Sequence, residues 1–309
     1  MNGVIVVDKP GGWTSHDVVA RVKRSLKAHK VGHLGTLDPV ATGVLPLVIN
    51  GATKFARWLE CGKKVYDADL TLGVETDTYD SEGRVTGTSD TSGVKDADII
   101  EAFGGFKGRI KQVPPMYSSV KLSGVPLYKL ARKGVTVDRP AKEVEIFSIT
   151  VKGIRMPQVS FSTVCSRGTY IRSLAMDIGA VLGCGAHLSR LRRTQSGTFS
   201  IEEAVSPVET AERLRESLIP LDAALKRASG EFKAITLDDE TAARLKYAKR
   251  LSLENGDFST LTSGKQMVTF IHRSSVIAVG ESIDIDKGVF DIKRVFVDVN
   301  EAAGSRHAS

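Results

Sequence analysis

The segment Gly32–Gly43 (GHLGTLDPVATG) holds one carboxylate, Asp38, among glycines and small residues. Asp-Pro is an ordinary turn element, but Pro39 biases Asp38 toward an extended backbone and the small neighbours let a ligand come close. A lone acid suits neither a two-carboxylate hydrolase nor a metal cluster. Arg172 falls in the first turn of a predicted helix, where the macrodipole disfavours a cation. An arginine placed there is expected to have an anionic partner. Pairing with Asp38 would hold that carboxylate ionised, lower its pKa and fix its direction. Tyr66 shares the apolar face of a predicted strand, so its ring is either core or a platform on which a base could stack. His33 lies between glycines and forms an H-x3-H spacing with His29, but no Cys or further His is near to complete a metal site. A wedge or stacking role suits it better.

These residues need elements to position them. Val4–Val7 reads as a buried strand stopped by Lys9-Pro10-Gly11-Gly12. Thr14 with Asp17 forms a capping-box pattern. Val18, Val22 and Leu26 then give an amphipathic helix. The Asp38 segment follows as a glycine-bounded loop. Ala68, Leu70 and Leu72 alternate with polar residues as a half-buried strand that includes Tyr66. Asp77–Gly83 (DTYDSEG) misses the calcium-loop spacing and reads as a solvated turn. Val144–Val151 and Val159–Cys165 read as a strand pair. Thr169–Ile178 reads as a helix stopped by Gly179. Beyond Leu237 a helical segment leads to short strands, Met267–His272, Val276–Val279 and Arg294–Val299.

The chain has 309 residues, long for one domain, and a formal charge of +7. Its sequence pI of about 9.2 and its basic clusters Arg21–Lys30, Lys129–Lys133, Arg190–Arg193 and Arg244–Arg250 point to a polyanionic partner, RNA or DNA. Three cysteines without CxxC spacing suit a reducing compartment. No signal peptide, membrane span, P-loop, GxSxG elbow or dinucleotide fingerprint is found, so a cytoplasmic protein is expected.

Taken in order, VVDKPGGWTSHDVV, VGHLGTLDPVATGVLPL, KKVYDADLTLG, QVPPMYSSVKLSGVPLYKLAR and CSRGTYIRSLAMDIG resemble the TruB family of bacterial tRNA pseudouridine-55 synthases, from residue 4 to about residue 200 and more weakly beyond. The resemblance implies a mixed α/β (α+β) catalytic domain around a central, largely antiparallel sheet, residues 1–232. A small β-rich PUA RNA-binding domain, residues 233–309, would follow, with Gly280, Gly288 and the Lys293–Phe296 ending matching its pattern. It implies isomerisation of a T-loop uridine of tRNA to pseudouridine with no metal or organic cofactor. Asp38 would be the essential aspartate, as nucleophile or as the group that helps detach the base; attack at C1′, attack at C6 and a glycal route stay open. Tyr66 would stack on the flipped uracil, Arg172 would pair with Asp38, and His33 would fill the space left by the base. Tyr170 and Leu191 would line the pocket, with Lys9 and Pro10 shaping it from behind. The implied partner is the T-arm and T-loop of tRNA, with no obligatory protein partner; a monomer is the default. The resemblance is also compatible with an RNA-binding helper of tRNA folding whose catalysis is dispensable, but intact Asp38, Tyr66 and Arg172 favour retained chemistry. An RNA-guided relative is disfavoured by the short tail after the KRVFV segment.

Overall fold

The structure, a computed structural model, describes residues 1–295 apart from residues 119, 123, 231, 246–247, 254–257, 259–260, 262–263 and 274. Contacts divide the chain into two compact units, Gly3–Leu218 and a second that begins at Ile219.

In the first unit the strands are β1 (Gly3–Lys9), β2 (Val31–His33), β3 (Thr42–Ile49), β4 (Lys64–Leu72), β5 (Gly108–Gln112), β6 (Lys142–Arg155), β7 (Gln158–Cys165) and β8 (Ala186–Ser196). They form a mixed but mostly antiparallel sheet in the order β1-β3-β8-β4-β7-β6-β5, with β2 beside β3 and β8 running parallel to β3. Helix α1 (Ser15–Leu26) starts at Thr14 with both bonds of the expected capping box and buries Val18, Val22 and Leu26. Helices α2 (Asp96–Gly104) and α3 (Ile171–Val181) belong to the same unit, with shorter helices at Ala56–Leu59, Leu127–Ala131 and Ala211–Glu216. The core joins Val18, Leu45, Leu70, Phe161, Leu174 and Ile178. As the alternation predicts, Tyr66, Ala68, Leu70 and Leu72 are the inward residues of β4.

Gly179 does not stop α3, which runs on to Val181. A Cβ at Gly179 would lie 2.3 Å from the Ala186 amide nitrogen, so the glycine serves the close approach of α3 to the start of β8. Gly43 works similarly at φ +99°, where a Cβ would strike the Arg193 carbonyl. It lets β3 lie beside β8 directly after the Asp38 loop.

Asp177, half-buried on α3, has its carboxyl pushed up by burial to about 6. Between about pH 4 and 6 the folded state therefore holds a proton that the unfolded chain has released, and stability falls as pH rises through this window. We expect Asp177→Asn to stabilise the protein at pH 8 by about 1–2 kcal/mol, after discounting for partial solvation. The gain should vanish below about pH 4, as read by thermal unfolding across pH. A gain that persists at low pH would refute this origin.

The second unit has a sheet of β9 (Lys233–Thr236), β10 (Arg250–Ser252), β11 (Met267–His272), β12 (Ser275–Asp284) and β13 (Val289–Val295), in the order β9-β11-β12-β13-β10. Helix α4 (Asp239–Leu245) adds Leu245 to a core of Val268, Phe270, Ala278 and Phe290. The Phe270 and Phe290 rings pack edge to face at 5.6 Å. The expected strand Arg294–Val299 extends past Val295 into residues outside those described, as does the Phe296 end of the expected PUA pattern. No helix among the described residues is long and apolar enough to cross a membrane.

Candidate active site

Asp38 is aimed by fixing the residues on either side of it. Ser15, buried in the first turn of α1, bonds both backbone groups of Leu37: its Oγ accepts from the Leu37 amide at 2.9 Å and donates to the Leu37 carbonyl at 3.0 Å. On the other flank the Pro39 carbonyl accepts from the Gly12 amide at 2.9 Å and from Lys9 Nζ at 3.1 Å. The carboxylate projects between two pinned neighbours.

Lys9 is fully buried. Its Nζ also donates to the carbonyls of Pro10 at 2.8 Å and Trp13 at 2.6 Å. Burial lowers its ammonium to about 8, against the pull of Asp38. Three carbonyl acceptors match the three protons that only the charged form carries. We expect Lys9→Met to strand these carbonyls and cost about 2–3 kcal/mol of stability. A drop in the thermal midpoint would show it; an unchanged midpoint would contradict it.

Arg172, 3% exposed, meets the carboxylate from α3. Its Nη2 donates to Asp38 Oδ1 at 3.0 Å, and its Nε lies 2.9 Å from Oδ2. The Nε–H is not directed along a hydrogen bond, so the Nη2 bond sets direction and Nε adds charge. Nη2 also donates to the Tyr117 carbonyl at 2.8 Å, and Nη1 to the Thr78 carbonyl at 3.1 Å. Nη1 further stands 3.4 Å from Asp80 Oδ2. One guanidinium thus serves two carboxylates. Asp80 is buried, with a 5% exposed side chain, whereas 32% of the Asp38 side chain faces solvent. Asp38 is the member of the network that a ligand can reach.

Two expectations change here. Asp77–Gly83 is a solvated turn only in part: Asp77 is exposed, but Asp80 is buried, bonded by Thr78 Oγ1 at 2.6 Å and the Glu82 amide at 3.1 Å. The Asp38 carboxyl does not end below its ordinary value despite its arginine. Burial pushes it up, Arg172 pulls it down and Asp80 raises it again, for a net upward shift.

Tyr66 stands opposite Arg193 in the β4–β8 register, and burial raises its phenol's pKa while Arg193 opposes the rise. Arg193 is 1% exposed, with Nε donating to the Val44 carbonyl at 2.8 Å and Nη2 to the Gly35 carbonyl at 3.0 Å. It ties the strand beside Tyr66 to both ends of the Asp38 loop. The expected surface cluster Arg190–Arg193 is therefore divided: Arg193 is core, and Arg192 pairs with Asp8 at 2.8 Å. Leu191, buried on the same strand, joins the core with Tyr66 and Leu37. His33 ends strand β2 rather than sitting in the loop. Its ring meets His16 edge-on at 5.8 Å, and its buried Nδ1 has no hydrogen-bond partner among the described residues. Burial lowers its pKa, helped by His16 and Arg193, which favours the neutral ring. Tyr170 caps α3; its amide donates to Gln112 Oε1 at 2.7 Å and its carbonyl accepts from Gln112 Nε2 at 3.0 Å. Burial raises its phenol, and Asp38 and Arg172 both act on it electrostatically. Among the described residues no three His, Cys, Asp or Glu side chains group to hold a metal.

The arrangement presents an oriented carboxylate beside aromatic and aliphatic walls. The family model for the N-terminal domain of TruB family pseudouridylate synthase matches residues 23–171, and that for the tRNA pseudouridylate synthase B C-terminal domain matches residues 172–226. A relative named tRNA pseudouridine synthase B, from Geobacter sulfurreducens, is 42% identical over 291 residues, 92% of this chain and 94% of the relative. The chain belongs to the TruB family of pseudouridylate synthases. Another member of that name, from Clostridium kluyveri, is 40% identical over 299 residues, 96% of this chain and 100% of the relative. Among solved structures, one titled as a Cbf5-Nop10-Gar1 complex aligns with a TM-score of 0.73 at 28% identity, over 96% of this chain and 86% of that one. An H/ACA RNP bound to a substrate RNA containing 2′-deoxyuridine aligns at 0.70 and 26%, over 96% and 85%. As a TruB-family member, the chain is a pseudouridine-forming isomerase.

Sequence reasoning missed Ser15, Asp80 and Arg193 in this TruB site. Only Arg193 left a usable signal: it shares the side of β8 on which Leu191 is buried, an unusual place for an arginine.

Proposed function

We propose that this protein isomerises uridine-55 in the T-loop of tRNA to pseudouridine, with Asp38 as the essential catalytic carboxylate and the uridine flipped out of the loop to reach it. The observation that carries the reading is the pairing of a solvent-reachable Asp38 with the buried Arg172, beside Tyr66, Tyr170 and Leu191. In the reaction the N1–C1′ bond breaks, the uracil turns and a C5–C1′ bond forms; C5 loses its proton and N1 gains one. Asp38 assists departure of the base. Tyr66 stacks on the detached uracil, and Tyr170 and Leu191 confine its rotation. A neutral His33 occupies the gap in the loop, as base extrusion requires. Lys9 acts from behind by fixing the Asp38–Pro39 backbone.

The second unit supports a PUA-like RNA-binding role by its β-rich build, with residues 233–309 as the proposed domain. The enzyme acts as a cytoplasmic monomer without a protein partner or cofactor, and holding the tRNA arm can also assist tRNA folding. An unmodified tRNA transcript incubated with the protein, with pseudouridine mapped by position, tests the reading. Product at uridine-55, lost when that uridine is replaced by cytidine, is expected. Product elsewhere, or none, would overturn it.

A further inference from the structure

The backbone of Gly12 and Trp13 helps to fix the Asp38 loop, but the Trp13 indole and the outer face of α1 have no part in the chemistry above. Gly12, Trp13, Asp17, Ala20, Arg21 and Arg24 line an open cleft of about 500 Å³, of a size that takes one small ligand unit. Asp17, Arg21 and Arg24 recur at i, i+4 and i+7, so they share one helix face. Trp13 is half-buried, packed against the main core while also bordering the cleft, so its indole is a rigid wall.

This face carries two guanidiniums against one carboxylate. Asp17 Oδ2 is engaged by the Thr14 amide at 2.8 Å and the Thr14 hydroxyl at 2.7 Å. Among the described residues neither Arg21 nor Arg24 forms an ion pair. Arg21 Nε is also buried, with no hydrogen-bond partner among the described residues. Two guanidiniums beside a fixed indole suit an anionic oxygen cluster attached to a flat ring, which is the chemistry of a nucleotide.

The cleft is wired to the catalytic loop. Lys9 Nζ holds the Trp13 carbonyl at 2.6 Å and the Pro39 carbonyl at 3.1 Å, and the Gly12 amide donates to the same Pro39 oxygen at 2.9 Å. The wall of the cleft and the residue after Asp38 are thus parts of one hydrogen-bonded unit.

We propose that this cleft binds an unpaired nucleotide of the substrate RNA outside the catalytic pocket, its base against Trp13 and its phosphate between Arg21 and Arg24. The inference rests on the RNA reading above. It extends the contact surface beyond the flipped uridine and fixes the strand relative to Asp38. Asp17 Oδ1, for which no bond is seen among the described residues, can accept a hydrogen bond from an N–H on the edge of the base.

The chain has two tryptophans, so Trp58→Phe leaves Trp13 as the sole indole reporter. Titration with a T-arm stem-loop RNA is expected to quench Trp13 emission saturably, while AMP and inorganic phosphate at matched concentration do not. Trp13→Leu should weaken RNA binding by roughly 5- to 100-fold. Trp13→Phe, which keeps a ring against the core, should recover part of the loss. Joint replacement Arg21→Gln and Arg24→Gln should flatten the slope of log affinity against log salt by about 1–2. Unquenched emission at saturating RNA, or an unchanged affinity and salt slope in the arginine variant, would overturn the proposal. So would equal quenching by AMP, which would mark a mononucleotide site. Wild-type pseudouridine yield, measured in the same buffer, separates the two readings: product with an unquenched Trp13 sinks only the cleft, whereas neither product nor RNA binding sinks the enzyme reading.

Discussion

Arg172→Met is expected to slow pseudouridine formation by about two to three orders of magnitude and to cost about 3–5 kcal/mol of stability. Both effects follow from one guanidinium that serves two carboxylates and two carbonyls. Removing it leaves Asp80, with a 5% exposed side chain, as a buried charge without its cation, and frees Asp38 to turn from the uridine. Pairing the change with Asp80→Asn should recover much of the stability but not the rate, since the lost alignment of Asp38 is untouched. Arg172→Lys keeps a charge but cannot bridge both acids, so it should fall between. The pH profile adds a signed test. Arg172 draws the Asp38 carboxyl down against burial and Asp80, so its loss raises that pKa further. Activity that needs the carboxylate falls as pH drops through the pKa. The acid limb of kcat/KM should lie above the ordinary aspartate value of about 3.9 in wild type and move to higher pH in Arg172→Met. Binding of tRNA, followed by filter retention, should change by no more than about threefold, because the guanidinium is spent inside the protein. Equal losses of binding and rate would refute the network as a positioning device.

Asp38→Asn is expected to reduce turnover by at least about four orders of magnitude, since the amide retains the shape of the carboxylate but not its charge or nucleophilicity. Its Oδ1 can still accept from Arg172 Nη2. The fold should therefore hold, and relief of the burial that raises the Asp38 pKa should leave stability equal to wild type or slightly higher. A variant that fails because it unfolds would show a lowered thermal midpoint; this one should not.

How much of this was readable in advance depended on whether the cause was local. Helix α1 was legible because Val18, Val22 and Leu26 recur at helical spacing behind a Thr14–Asp17 box. Strand β4 was legible because Tyr66 through Leu72 alternate. The Asp38–Arg172 pairing was legible because a cation in the first turn of a helix needs an anion. The direction of the Asp38 pKa was not, because it depends on burial and on Asp80, whose sequence setting is that of an ordinary polar turn. The one cue to Arg193, its place two residues from Leu191, was masked by a register shift between Leu188 and Arg190 that interrupts the alternation of β8, so three arginines in one short run read as surface charge. Gly179 resembled a helix stop because the strand start it packs against follows only later in the chain. The carbonyls of Thr78, Tyr117 and Pro39 that hold Arg172 and Lys9 are backbone groups, and no residue type marks them.

The central claim is that one carboxylate, Asp38, carries the isomerisation while the rest of the site holds RNA and aims it. Tritium release from a tRNA transcript labelled at uridine C5, measured in a single turnover with wild-type and Asp38→Asn protein and with filter binding on the same samples, tests it most directly. The account predicts release by wild type alone, with both proteins binding the transcript within a few-fold of each other. Release by Asp38→Asn at a rate near wild type would contradict it.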